Sequence, residues 1–244
     1  MTYYLVDGTE NSFYTAVFEA YNDRDCIITS ERDLQLGLGF NLKEIATDDE
    51  KAERVKNKLH SLDRYALKEL NLVLRSCDTL KENAAFEYIK LIIGSGGAVR
   101  NMLANPTVLE VSDIRSRVTR ELHRLRGFLR FIENDAGVLY APYSPDNDIT
   151  DLLARHFADR LSNQRFVIHD LKRQIAALYD GEEIVMTSVG SDAEVYLSEY
   201  EKYFEDLWKQ YYKSINIASR PHEKQMRGYM PVRYWKYLPE KRNG

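Results

Sequence analysis

The sequence predicts an α+β protein: a mostly helical N-terminal half, then a small antiparallel sheet covered by helices, a long C-terminal helix and a basic aromatic tail. Three observations predict it. Between residues 49 and 93 apolar side chains recur at three- and four-residue spacing, the period of a helix with one buried face. Between residues 128 and 188 short β-branched and aromatic runs alternate with turn chemistry, notably Asn134-Asp135-Ala136-Gly137 and Asp180-Gly181. Strands joined by such turns pair antiparallel, and the helical segments beside them cover the sheet. A boundary near residue 106 divides the chain into 1–106 and 107–244, either two domains or two lobes of one.

Each element has a local reason. Tyr3 to Val6 reads as a strand ending at the Asp7-Gly8 turn. Asn11 or Ser12 can cap a helix that buries Phe13, Val17, Phe18 and Tyr21. Cys26 to Thr29 is a second short strand, and residues 34–47 signal weakly. Asp48-Asp49-Glu50 puts acids where a helix dipole favours them, at the start of a helix reaching about Arg75 with a break near Ser61. A further helix spans Leu80 to Ile93. Gly94-Ser95-Gly96-Gly97 then reads either as a helix–helix joint or as a phosphate loop. The dinucleotide fingerprint fails because Val99 stands where its third glycine belongs. Asn105-Pro106 ends the helical half.

Ser112 is expected to cap the next helix, whose stripe of Ile114, Val118, Leu122, Leu125 and Leu129 leaves Arg117, Arg120 and Arg124 on one flank. Gly127 closes it. Phe128 to Glu133 and Val138 to Tyr143 form a hairpin, and Asp146-Asn147-Asp148 caps a helix over 149–161. Three strands follow at 166–169, 175–179 and 183–188, and Asp192 opens the last long helix.

Composition narrows the function classes. The chain has 244 residues, 44% hydrophobic and 30% charged, the balance of a globular protein. Two cysteines cannot build a disulfide framework, an all-cysteine zinc site or a thiolate-held iron–sulfur cluster, and no cofactor is expected. Its aliphatic runs, such as Leu91-Ile92-Ile93, fall far short of the ~20 residues a membrane span needs. The start shows no basic segment followed by a long apolar one, so a cytoplasmic protein without membrane association is expected.

Charge is unevenly placed. The formal net charge is −4, yet residues 112–130, 154–173 and 218–244 carry +4, +3 and +5, which leaves −16 on the remainder. Concentrated basic segments can hold a polyanion whatever the total charge, although solvated helix faces and internal ion pairs produce the same count. The tail interleaves Arg227, Arg233 and Lys236 with Tyr229, Tyr234, Trp235 and Tyr237. Such a segment either stacks on unpaired bases or docks on the protein body through its aromatics.

Chemistry-bearing residues are sparse. His169-Asp170 ends a strand and can act as an acid/base pair, or Asp170 can cap its own turn. His123 lies on the polar side of its helix beside Arg120 and Arg124, suited to an anion or to solvent. His156 falls on an apolar helix side and reads as a core histidine. A zinc site drawn from His123, His156 and His169 is not demanded by their spacing, and no metal is expected. No serine nucleophile elbow is present.

Several segments together resemble a bacterial family. They are Tyr4-x-x-Asp7-Gly8 with Phe13 and Ala16-Val17-Phe18-Glu19, Glu121-x-His123-Arg124-x-x-Gly127-Phe128-x-Arg130-Phe131, Tyr140-Ala141-Pro142, Pro145-Asp146-x-Asp148, Ile168-His169-Asp170-x-x-Arg173 and Met230-Pro231-x-Arg233-Tyr234-Trp235-Lys236-x-Leu238-Pro239-Glu240. The chain resembles the DUF4130-type "probable DNA metabolism protein" group. The resemblance implies a process, DNA repair or modification, in company with a radical-SAM protein; related domains are fused to uracil-DNA glycosylases. A chain without three clustered cysteines is not itself the radical-SAM enzyme. The leading expectation is an accessory protein that binds DNA through Arg117, Arg120, Arg124, Arg173, Arg227, Arg233, Tyr234, Trp235 and Lys236. One alternative is a DNA-acting enzyme, base-excising or hydrolytic, with His169, Asp170 and His123 as its catalytic groups. Another is a protein-interaction adaptor whose acidic surface meets a basic partner.

Overall fold

A computed structural model describes residues 1–32, 39–133, 137–189, 227 and 230–238. The chain forms two compact units, Met1–Thr119 and Arg120–Gly244. Together they make an α+β protein, as the patterning predicts.

The first unit opens with strand β1 (Thr2–Leu5), helix α1 (Glu10–Ala20) and strand β2 (Cys26–Thr29). Strand β3 (Asn41–Glu44) follows, in the segment whose sequence signals weakly. Both β2 and β3 pair with β1 in parallel, in the order β2-β1-β3. Strand β3 was illegible because Asn41-Leu42-Lys43-Glu44 is exposed throughout and shows no buried alternation. Thr9 caps α1 rather than Asn11 or Ser12: its side chain accepts from the Ser12 backbone N–H at 3.2 Å. Asn11 donates instead to Asp49 at 2.7 Å.

Helix α2 (Asp49–Leu62) is capped by Asp48 and stops at Asp63, close to the expected break. Helices α3 (Ala66–Leu74) and α4 (Lys81–Ser95) follow. Gly96, at φ +68°, takes the left-handed conformation that ends α4. The glycine run is therefore a helix terminus, and the phosphate-loop alternative falls because Leu91-Ile92-Ile93 is helix and feeds no strand into it.

Helix α5 (Pro106–Phe128) corrects three expectations. Asn105-Pro106 starts a helix instead of ending one. The Asn105 side chain accepts from the Thr107 N–H at 2.9 Å, and Pro106 at the first helical position gives up an N–H that would have no partner anyway. Ser112 and Gly127 lie inside the helix. The core of this unit gathers Phe13, Tyr14, Val17, Ile28, Leu59, Leu70, Phe86, Ile89 and Ile92 with Val108, Val111 and Ile114 of α5.

The second unit holds strands β4 (Ile132–Glu133) and β5 (Leu139–Tyr143), helix α6 (Thr150–Arg160), and strands β6 (Phe166–Asp170), β7 (Ile175–Tyr179) and β8 (Ile184–Ser188). They make one sheet in sequential order. All neighbours pair antiparallel except β5 and β6, which run parallel, so the sheet is mixed. The cause is α6: a helical crossover returns the chain to start the next strand in the same direction. Phe131, Phe157, Phe166 and Tyr179 stack edge-on and tilted with ring centroids 4.9 to 5.7 Å apart. A 3-10 helix, Val232–Tyr237, lies in the tail and buries Tyr234, with Met230 and Leu238 buried on either side. The hairpin residues 134–136 and the helix expected from Asp192 lie outside the described residues.

Candidate functional site

Glu121 organises the second unit. It stands on α5 three residues after Val118 and four before Leu125, both buried, so the helix carries it into the interior. A carboxylate there must be compensated. One oxygen accepts the Asp146 backbone N–H at 2.9 Å; the other accepts the Asn147 backbone N–H at 2.9 Å and its side-chain amide at 2.6 Å. The tail completes the set: Arg233 pairs with Glu121 at 3.1 Å, and the Tyr234 hydroxyl donates to the same oxygen. Arg233 also pairs with Asp146.

The 145–147 loop is gripped from a second direction. Arg173, in the β6–β7 turn, donates to the carbonyls of Pro145 and Asp146 and pairs with Asp170 at 2.9 Å. The other Asp170 oxygen accepts the Lys172 and Arg173 backbone N–H groups at 2.9 and 3.2 Å. Behind the loop, Tyr143 and Thr150 share a buried hydrogen bond of 2.8 Å. Four segments far apart in sequence thus close on one polar network: α5, the 145–147 loop, the β6–β7 turn and the tail.

These contacts correct the role expected of Asp146-Asn147-Asp148. Helix α6 begins after Ile149 without a side-chain cap. The loop's backbone N–H groups instead bind the Glu121 carboxylate. Glu121 itself was missed, although a charge on an apolar stripe was the signal that marks it.

His169 and Asp170 do not form a couple. Successive strand residues point to opposite faces, and the Asp170 oxygens serve the turn and Arg173. The partner of His169 is Tyr140, whose hydroxyl lies 2.8 Å from the imidazole Nδ1. The Nε2 of His169 and the hydroxyl of Tyr237 are both buried without a hydrogen-bond partner among the described residues. Burial pushes the His169 pKa down, against the pull of Asp170. Burial likewise raises the Tyr140 pKa, with Tyr237 adding to it. His123 is exposed on α5, and no hydrogen bond or ring contact joins it to His169.

The basic residues separate into different environments. Arg117 pairs with Asp78 at 2.6 Å within the first unit. Arg120 is exposed and Arg124 half-buried on α5. Arg173 and Arg233 are spent on the internal network. Tyr234 is 3% exposed and offers no face to a base. Trp235 is half-buried, its indole N–H donating to the Met230 carbonyl at 3.1 Å, with Arg227 5.9 Å from the ring. Lys236 is exposed, its amine 4.8 Å from the Tyr237 ring.

A different group of cations stands free of that network. Arg126 on α5 and Arg155 and Arg160 on α6 are exposed, as is Arg165 before β6. His156, against Phe157 on α6, has its pKa lowered by burial first and then by the charges of Arg126 and Arg160, with Asp159 opposing. Among the described residues, no three His, Cys, Asp or Glu side chains are placed to share a metal ion, and no helix is long and apolar enough to cross a membrane.

A polar clasp on a mixed sheet, with a positive surface of its own, defines a class of small α+β domain. The chain belongs to the DUF4130 family, a domain of unknown function, whose model matches residues 79–240, about two thirds of the sequence. No curated protein and no solved structure matches it.

Proposed function

We propose that the chain is a cytoplasmic DNA-binding accessory protein of a repair or modification system, acting beside a radical-SAM partner. The process and the partner come from the family resemblance. The observation that carries the DNA reading is the pair Arg126 on α5 and Arg160 on α6, two exposed guanidiniums on separate helices that stand clear of the polar clasp. Arg155 and Arg165 extend the same short stretch of chain. Phosphates spaced along a strand suit such a group better than a single small anion does.

The assay is fluorescence anisotropy with labelled single-stranded and duplex DNA over a salt series. Binding is expected at about 50 mM salt and is expected to weaken linearly in log–log form. The double variant Arg126→Gln/Arg160→Gln should reduce the slope on duplex by about 1.8, roughly 0.9 per lost phosphate contact. No binding to either DNA, or an unchanged slope, rejects the proposal. Co-purification with the radical-SAM protein in nuclease-treated extract tests the partner separately.

A second reading, an enzyme acting on DNA, is favoured by one feature. In the tautomer in which the His169 Nδ1–H donates to the Tyr140 oxygen, Nε2 keeps a lone pair that has no hydrogen-bond partner among the described residues and can accept a proton. Base release or hydrolysis on labelled DNA that survives His169→Gln would remove it.

A further inference from the structure

The first unit contains a cavity of about 490 Å³, within the range of small-molecule sites. It is formed by α1, α2 and α4, outside all three basic segments. Val17, Val55 and Ile93 make an apolar floor. Phe18 on α1 and Tyr21, the residue that caps its C-terminus, stand at the cavity's edge with more than a third of their surface open. Such rings usually bury themselves in a core or a partner.

The polar groups at the rim are Arg54, Lys58 and Asn22. Other lysines of this unit are neutralised. Lys51 pairs with Glu19 at 2.9 Å, Lys43 with the same carboxylate at 2.6 Å, and Lys56 with Glu53 at 3.2 Å. No carboxylate among the described residues pairs with Arg54 or Lys58. The two stand four apart on α2 and so lie side by side, an arrangement that is unfavourable unless an anion joins them. The Arg54 guanidinium lies 4.9 Å from the Phe18 ring, which holds it at the mouth. The Asn22 side chain makes no hydrogen bond among the described residues.

We propose that this cavity binds a small aromatic anion. Its ring would lie on Val17, Val55 and Ile93 beside Phe18 and Tyr21. Its carboxylate or phosphate would bridge Arg54 and Lys58, with Asn22 as an additional donor. An aliphatic ligand would use the floor and leave the two rings without a stacking partner. A neutral ligand would leave the paired cations uncompensated.

Isothermal titration of the full chain tests this with three probes: 2-naphthoate, its neutral counterpart 2-naphthylmethanol, and thymidine monophosphate. At least one of the two anions is expected to bind, at least about tenfold more tightly than the neutral probe, ~1.4 kcal/mol. Tighter binding of thymidine monophosphate identifies a nucleotide as the occupant; tighter binding of 2-naphthoate identifies an aromatic acid. Arg54→Gln/Lys58→Gln changes two exposed side chains, so thermal unfolding should not move while the anion preference disappears. Phe18→Ala should weaken the anion and the neutral probe alike. Failure of both anions to bind at millimolar concentration overturns the proposal, and so does a double variant that keeps the preference.

Discussion

Replacing Glu121 with alanine isolates the polar clasp. The substitution removes the acceptor of the Asp146 and Asn147 backbone N–H groups, the Asn147 amide and the Tyr234 hydroxyl. A buried donor left unsatisfied costs about 1–3 kcal/mol, and losing one member of a buried charged set costs about 3–5 kcal/mol. Water entering the space left by the side chain recovers part of the sum, so the expected loss is about 3–5 kcal/mol. The remaining clasp residues should rank below it. Tyr234→Phe forfeits one hydrogen bond to a carboxylate, about 1.5–3 kcal/mol. Arg233→Gln should cost under about 1 kcal/mol, because the Arg233 side chain is 45% exposed and solvent screens its pairs.

Urea denaturation followed by Trp235 fluorescence reads the clasp directly, since that indole donates to Met230 within the tail. The chain's other tryptophan, Trp208, is changed to phenylalanine to isolate the signal. In a chain cut after residue 226, circular dichroism is the readout. There Glu121→Ala should lose much of its effect, because the truncation has already removed two of its donors. An intact-chain Glu121→Ala within 1 kcal/mol of the parent, or an Arg233→Gln as costly as Glu121→Ala, refutes the reasoning.

Two further outcomes follow from the histidines. Burial lowers the His169 pKa, so its folded value lies below the unfolded value of about 6.5. The unfolded chain then binds the proton more readily, and stability present above pH ~6.5 should decline as pH falls through the folded pKa. His169→Gln should flatten that decline in denaturation measured from pH 8 to 5; an equally steep decline in the variant would assign it to other groups. For His156, Arg126→Gln/Arg160→Gln removes two positive neighbours, so its pKa should rise toward the ordinary value in an NMR titration. No rise would mean that burial alone sets it.

The helices were legible because each is a local amphipathic repeat, and burial confirmed the stripe of Ile114, Val118, Leu122 and Leu125 on α5, with Leu129 buried just past its end. Turns carried by Asp7-Gly8 and Asp180-Gly181 were legible because positive φ favours glycine, and Gly8 and Gly181 take φ of +88° and +112°. Helix starts were less certain, since Thr9, Asn11 and Ser12 are all competent caps and only packing chooses among them.

Sequence by itself determined the α+β class, the identity of most elements, the family, and which short segments stood out. Only the tertiary structure decided what those segments do. Strand partners are chosen across the chain, so neither the parallel β2-β1-β3 sheet nor the β5–β6 pairing is written in any local pattern. The fate of a charge is decided in the same way. Arg233 and Arg126 look alike in the sequence, but one is drawn to the Glu121 carboxylate 112 positions away while the other faces solvent. A helix period reports that position 121 points inward; it cannot report which donors wait there, because those arrive from the loop and the tail only when the chain has folded.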